Sequence, residues 1–303
     1  MATVTKAIQA AVSGRRVGLS WPRLLIYTIL IAGAIASVLP FISMVLTSFK
    51  SYGSLITGAF WPWPPFGEEL PQWQNYPQAI RQIGWDRQWQ IWLFFRYFAN
   101  SLIVALAVTA GVLVTSTCAA YALAQINLPG KNVLFLLLLA TIMVPPDLTL
   151  VPKVVMMFQL GWYNSYQALI VPFMGSVFGI FLLRQFFLQI PRELYEAAIM
   201  DGAGHLRYLV AIVIPLSKSA LITLALLQFI WEWDSFKWPL LVTRDSSMRV
   251  LAVGLQQFMV GEGGTNTHLL MAFATVVIAP VIVFYFFTQR YFREGIVTTG
   301  IKG

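Results

Sequence analysis

The chain is poor in charge, in histidine and in cysteine, and each shortage excludes a class of function. Only 11% of its 303 residues are Asp, Glu, Lys or Arg, against roughly 25% in a soluble domain. A surface facing water on all sides is therefore excluded. The single cysteine, Cys118, sits in an apolar run, so an internal disulfide is impossible and no redox compartment can be read. The two histidines, His205 and His268, fall on opposite sides of the membrane topology derived below, which excludes a shared zinc site and leaves His205 as a loop or interface residue. No G-x-x-x-x-G-K-[ST] run is present to cradle a nucleotide, and no spacing brings together a Ser-His-Asp or paired-carboxylate centre. The chain is read as non-catalytic, and any energy it uses must come from a partner.

What is present is apolar: 58% hydrophobic residues and a mean hydropathy of +0.72 mark an integral membrane protein. The net charge of +8 does not point to nucleic acid, because the basic residues stand at the ends of apolar segments and form no stripe.

The predicted fold is an all-α polytopic membrane protein, one transmembrane domain over residues 1–303 with six spans. The first, about 24–47, follows the basic residues Lys6, Arg15, Arg16 and Arg23. Ala34-Ile35-Ala36 resembles a signal-peptide cleavage site, but the apolar run continues to a span's length and is read as an uncleaved helix. The second, about 98–124, is rich in Gly, Ala, Ser and Thr and is expected to face other helices. The third, about 132–158, is broken at Pro145-Pro146. The remaining spans are about 166–187, 213–235 and 269–287, with a tail at 289–303. Twelve of the 20 basic residues and four of the 12 acids fall on the side holding both termini. That bias places the termini in the cytoplasm.

The longest loop, Lys50 to Tyr97, carries Trp61, Trp63, Trp73, Trp85, Trp89 and Trp92 with several prolines. It is assigned to the outer surface, where Trp and Tyr anchor at headgroup level. Broken helices line pathways because their freed backbone groups need partners, so Pro145 and Pro146 are pathway candidates; a kink absorbed by neighbouring helices is the alternative. Gln228 and Trp231 near the end of the fifth span join them, while Glu232 and Asp234 are expected to be hydrated at the outer interface. An ion-driven carrier would place ionisable residues at mid-membrane, and none is secure there.

Between the fourth and fifth spans, residues 190–215 form the longest polar interruption on the cytoplasmic side. Pro191 suits a first helical position, and Glu193 and Glu196 suit the opening turn. Leu194, Ala197 and Ala198 share one face, and Gly202 and Gly204 end the helix. The spacing of Glu196-Ala197-Ala198, Asp201-Gly202-Ala203, Ile212 and Pro215 resembles the EAA loop of permease subunits of ATP-binding-cassette importers. Asn100-Ser101-Leu102, Ala119 to Ala124, Pro129-Gly130, Trp238-Pro239-Leu240, Val253-Gly254-Leu255 and the Gln289 to Gly303 tail extend the likeness along the chain. They are similar to the carbohydrate-type branch, in particular the smaller permease subunit of maltose-type importers.

The resemblance implies a type I importer transmembrane domain in the inner membrane of a prokaryote. Its partners would be a second permease, two ATPase subunits holding ATP and magnesium, and an extracytoplasmic solute-binding protein; no nucleic acid is implied. The loop would be the coupling helix against the ATPase, and Gly300, Lys302 and Gly303 would belong to a tail that reaches it. The cargo would be a sugar or oligosaccharide, with a polyamine or glycerol phosphate ester as the alternative. Asp234 stands where the family often has Asn, and Thr298-Thr299-Gly300-Ile301 replaces a more Ala-rich version of the tail.

Overall fold

The computed structural model describes residues 21–58, 60–64, 67–259 and 266–299, with the side chains of 22, 23, 288 and 290–299 left aside. The Gly300, Lys302 and Gly303 expectation lies outside the described residues. The chain is mostly helical. Among the described residues, four helices are long and apolar enough to cross a membrane, over Leu24–Ser48, Leu93–Gln125, Tyr166–Phe187 and Thr267–Phe287. Two bent pairs raise the number to as many as six if each pair is one span: Lys131–Ile142 with Pro146–Gln159, turned by 88°, and His205–Leu216 with Lys218–Trp233, turned by 80°.

The organising element is a 33-residue helix, Leu93–Gln125, which packs against Val177–Phe187 and Lys218–Trp233. Its small residues make this close approach possible. A Cβ placed on Gly179 would lie 2.6 Å from Ser116 Oγ and 3.2 Å from Leu224, so three helices meet at a point where any side chain would force its neighbours to shift. Thr115 Oγ1 donates to the Met174 carbonyl at 2.7 Å, tying the central helix to the turn that leads into Val177–Phe187. Among the described residues packing divides into two large clusters and a small third one at Val250, Ala252 and Val253. Of the large ones, one joins Val108, Val112, Leu183, Phe187, Val213 and Leu224, and the other joins Phe94, Tyr97, Phe229, Trp233 and Phe273.

The opening helix, Trp21–Ser48, stands apart: its apolar stretch is exposed along its length, and its main packing partner is the last helix, Thr267–Thr299. That last helix runs on well past 287, so the polar tail from 289 to 299 continues it instead of leaving it.

The long loop is more ordered than its prolines suggest. Asn75–Gln82 is a helix, and Trp85–Asp86 pairs antiparallel with Ile91–Trp92 in a small hairpin, a minor departure from the all-α expectation. Trp85 and Trp92 stack edge to face across it at 4.8 Å. Asp86 accepts from the Gln88 and Trp89 amides, closing the turn, and ion-pairs with Arg96 at the start of the central helix. Three asparagines secure the loops to the bundle. Asn75 donates to the Ser48 and Lys50 carbonyls; Asn100 donates to those of Ser247 and Arg249 and accepts from Tyr166 Oη; Asn164 accepts from the Arg244 and Asp245 amides.

Candidate functional site

The segment from Pro191 to Ser217 is built as a sequence of stops and turns. A helix, labelled α1 here, spans Arg192–Met200 and is preceded by Pro191, which occupies the cap position and not the first helical one. Its far end closes with a left-handed residue: Gly202 has φ +76, its amide donates to the Ile199 carbonyl, and the Ala203 amide donates to that of Ala198. This paired closure satisfies the last carbonyls and needs a residue without a Cβ.

The face expected from sequence is divided. Ala198 is buried, with Tyr195 and Ala203 packed beside it, whereas Leu194 and Ala197 point outward. The outward side also carries Ile199, Met200 at 87% exposure and Leu206 at 74%. Asp201 is exposed at the end of the helix, and Glu196, also exposed, makes only an open ion pair with Arg192 at 3.5 Å, one turn back. Beyond Gly204, a short helix leads into a π turn at Leu209–Val213, which contains half-buried Ile212. Exposed Pro215 lies in the last turn before the 80° bend at Ser217. Pro215 lacks an amide hydrogen, so regular helix pairing is interrupted where the chain changes direction.

An aromatic knot, not foreseen from the sequence, holds this segment to the bundle. Tyr121, near the end of the central helix, is hydrogen-bonded through Oη to His205 Nδ1 at 2.9 Å. His205 stacks on Tyr195, which meets Tyr208 edge on. His205 is therefore the clasp between α1 and the membrane helices. Its signal in the sequence was only the nearness of Tyr195 and Tyr208 to one histidine in the motif, with Tyr121 lying 84 residues away.

The pathway candidates gather, with one exception, around a cavity of about 1060 Å³ lined by Pro146, Gln228 and Trp231. Pro145 does not line it. Asp147, in the single turn that begins at Pro146, ion-pairs with Lys237 at 3.1 Å. Gln228 donates to Glu232 Oε1 at 3.2 Å, so Glu232 is half-buried and partnered instead of simply hydrated, while Asp234 is exposed on the same wall. Lys153 lies over the Phe173 ring at 5.8 Å. Of the tryptophans in this region only Trp231 faces out, at 73% exposure; Trp233 and Trp238 are buried, their indole N–H groups donating to the carbonyls of Val277 and Ala168. These two are internal bolts, where the sequence alone placed them in an interfacial cluster. Among the described residues no group of His, Cys, Asp and Glu is arranged to hold a metal.

Comparison with known proteins follows the same lines. The family model described as binding-protein-dependent transport system inner membrane component matches residues 111–297. The sn-glycerol-3-phosphate transport system permease protein UgpE of Yersinia pestis bv. Antiqua (strain Antiqua) is 36% identical over 199 residues, covering 65% of this chain and 71% of that protein. The arabinooligosaccharides transport system permease protein AraQ of Halalkalibacterium halodurans is 30% identical over 271 residues, covering 89% and 93%. Among solved structures, a chain of a bacterial ABC transporter involved in the import of the acidic polysaccharide alginate superposes with a TM-score of 0.73 at 25% identity, covering 89% of this chain and 95% of that one. The arrangement of helices is the type I importer permease fold. With the match running from the second half of the central helix through the Glu196 to Pro215 segment into the last helix, the chain belongs to the inner membrane component family of binding-protein-dependent transport systems.

Proposed function

We propose that this chain is one of two permease subunits of an importer for a sugar or oligosaccharide, driven by two separate ATPase subunits that bind ATP and magnesium and fed by an extracytoplasmic solute-binding protein. It lies in the inner membrane of a prokaryote with both termini in the cytoplasm. The observation that carries this reading is α1: one side is clasped to the bundle through Ala198, Tyr195 and His205, while the other offers exposed Glu196, Leu194, Ile199 and Met200. Apolar side chains held outside a span ask for a protein partner. Ala197 allows close approach, Ala198, Asp201, Gly202 and Ala203 fix the helix and its end, and Ile212 and Pro215 pass its displacement to the following span. Gly300, Lys302 and Gly303 are assigned to a second contact with the ATPase.

The solute crosses along the cavity at Pro146, Gln228 and Trp231, with Pro145 setting the bend above it. Trp231 offers an exposed ring for stacking against a sugar, and Gln228 with Glu232 offers hydrogen bonds. A second reading, a glycerol phosphate ester as cargo, is favoured by the likeness to UgpE. Uptake of labelled arabinose oligomers and glycerol phosphate by cells carrying the complex separates the two.

The coupling assignment is tested in the reconstituted complex by Glu196→Lys. Losing one partner of a desolvated charge pair costs about 2–5 kcal/mol, so stimulation of ATP hydrolysis by the loaded binding protein should disappear. Unchanged stimulation would refute the role given to α1.

A further inference from the structure

A second cavity, of about 450 Å³, opens behind α1, between that helix and the ends of the membrane helices. Its charged lining is Lys131 and Arg192, the latter also in the open ion pair with Glu196 at 3.5 Å; Gln125, Asn127, Tyr195 and His205 border it too, and among the described residues no acid lines it. The larger cavity, by contrast, mixes carboxylates with lysines. Lys131 and Arg192 are each the first residue of a helix, Lys131–Ile142 and Arg192–Met200, so two helix N-termini with their positive ends border the same space. Lys131 Nζ donates to the Ile126 carbonyl at 3.0 Å, and an ammonium has three hydrogens to give. His205 holds Tyr121 through Nδ1, which leaves Nε2 as its remaining polar atom.

We infer that this cavity binds a phosphate group, carried either by an anionic phospholipid or by a free phosphate compound. A tetrahedral oxyanion with several acceptors matches two cationic side chains bordering one space and asks for no acid in the wall. The apolar part of the lining, Ile126, Leu188 and Ile190, comes from the ends of the membrane helices, the level at which phospholipid phosphates lie. A bound phosphate would bridge Lys131 on the bundle to Arg192 on α1, so occupancy would stiffen the segment assigned to the ATPase contact. The site itself stands on the cavity and its cations, whether or not that contact exists.

The test uses the full chain purified into phosphatidylcholine nanodiscs, with phosphatidylglycerol added in one arm and inorganic phosphate in the other. Native mass spectrometry and thermal unfolding follow binding. Retention of phosphatidylglycerol alone assigns the site to lipid; a response to inorganic phosphate assigns it to a soluble ligand. Charge-assisted hydrogen bonds of this kind are each worth enough that Lys131→Gln with Arg192→Gln should weaken binding about 10-fold or more. Lys131→Arg with Arg192→Lys should retain it, and so should Arg81→Gln with Arg87→Gln, which removes equal charge elsewhere. Should the double glutamine variant fail to fold, ligand-dependent protection of residues 192–205 against hydrogen exchange in the unaltered chain decides the matter. No response to either ligand, or an equal loss in the Arg81 and Arg87 variant, would overturn the inference.

Discussion

Asn100 illustrates how single polar residues hold this molecule together. Its amide donates to two carbonyls of the 246–249 segment, each at 2.9 Å, and its oxygen accepts from Tyr166 at 2.6 Å. The neighbouring Ser101 Oγ accepts from the Leu251 amide at 2.8 Å. Asn100→Leu keeps the size and strands these partners away from water. A loss on the order of 3 kcal/mol is expected in unfolding from detergent, since each orphaned buried group costs about 1–3 kcal/mol. Asp86 answers to acid instead. The Arg96 guanidinium hydrogen-bonded to it, aided by the Gln88 and Trp89 amides and opposed by partial burial, holds its carboxyl below the usual carboxylate range. Its contribution is complete above the unfolded-state value and is lost as pH falls through the lowered folded value. The protection factors of the Gln88 and Trp89 amides, measured against intrinsic exchange at each pH, should fall on acidification, and in Asp86→Asn they should be low throughout. Asn100 stood in the sequence only as part of a likeness, and Asp86 gave no sign at all. Their partners lie about 150 and 10 residues away respectively, and local pattern cannot pair a loop carbonyl with a distant amide.

At the scale of elements, the legible features were those with a local cause. The small residues of the second span did mark a buried helix, the proline pair did mark a break, and Gly202 did end α1, because each follows from sterics within a few residues. Which face of α1 turns inward was not legible. Leu194 and Ala198 are both apolar, and the buried side is the one joined to the bundle where His205 meets Tyr121 of the distant central helix. Trp233 and Trp238 likewise read as interfacial until their indole N–H groups found carbonyls on other helices. Two substitutions test the element-level account. Gly202→Ala has open space around it but keeps φ +76, so it should cost about 1 kcal/mol and loosen amide protection at 202 and 203 without disturbing the spans. Gly179→Val meets Ser116 and Leu224 at once; overpacking of about 1–3 kcal/mol should lower the unfolding midpoint of the whole bundle.

At the scale of the whole molecule, charge placement becomes an experiment. With Cys118 changed to Ser, the chain has no thiol, and single cysteines can report sidedness. In intact cells Trp73→Cys should react with an impermeant maleimide, whereas Glu196→Cys should react only after the membrane is opened. Labelling of position 196 from outside would invert the topology and remove α1 from the ATPase side. The pairing of the opening helix with the last one has a consequence for biogenesis. During synthesis, Trp21–Ser48 leaves the ribosome more than 200 residues before Thr267–Thr299 exists, so it must wait in lipid or with an insertase until translation nears its end. A nascent chain that stops early would leave its N-terminal anchor stranded, and membrane quality-control proteases would meet the damage at the opposite end from the lesion.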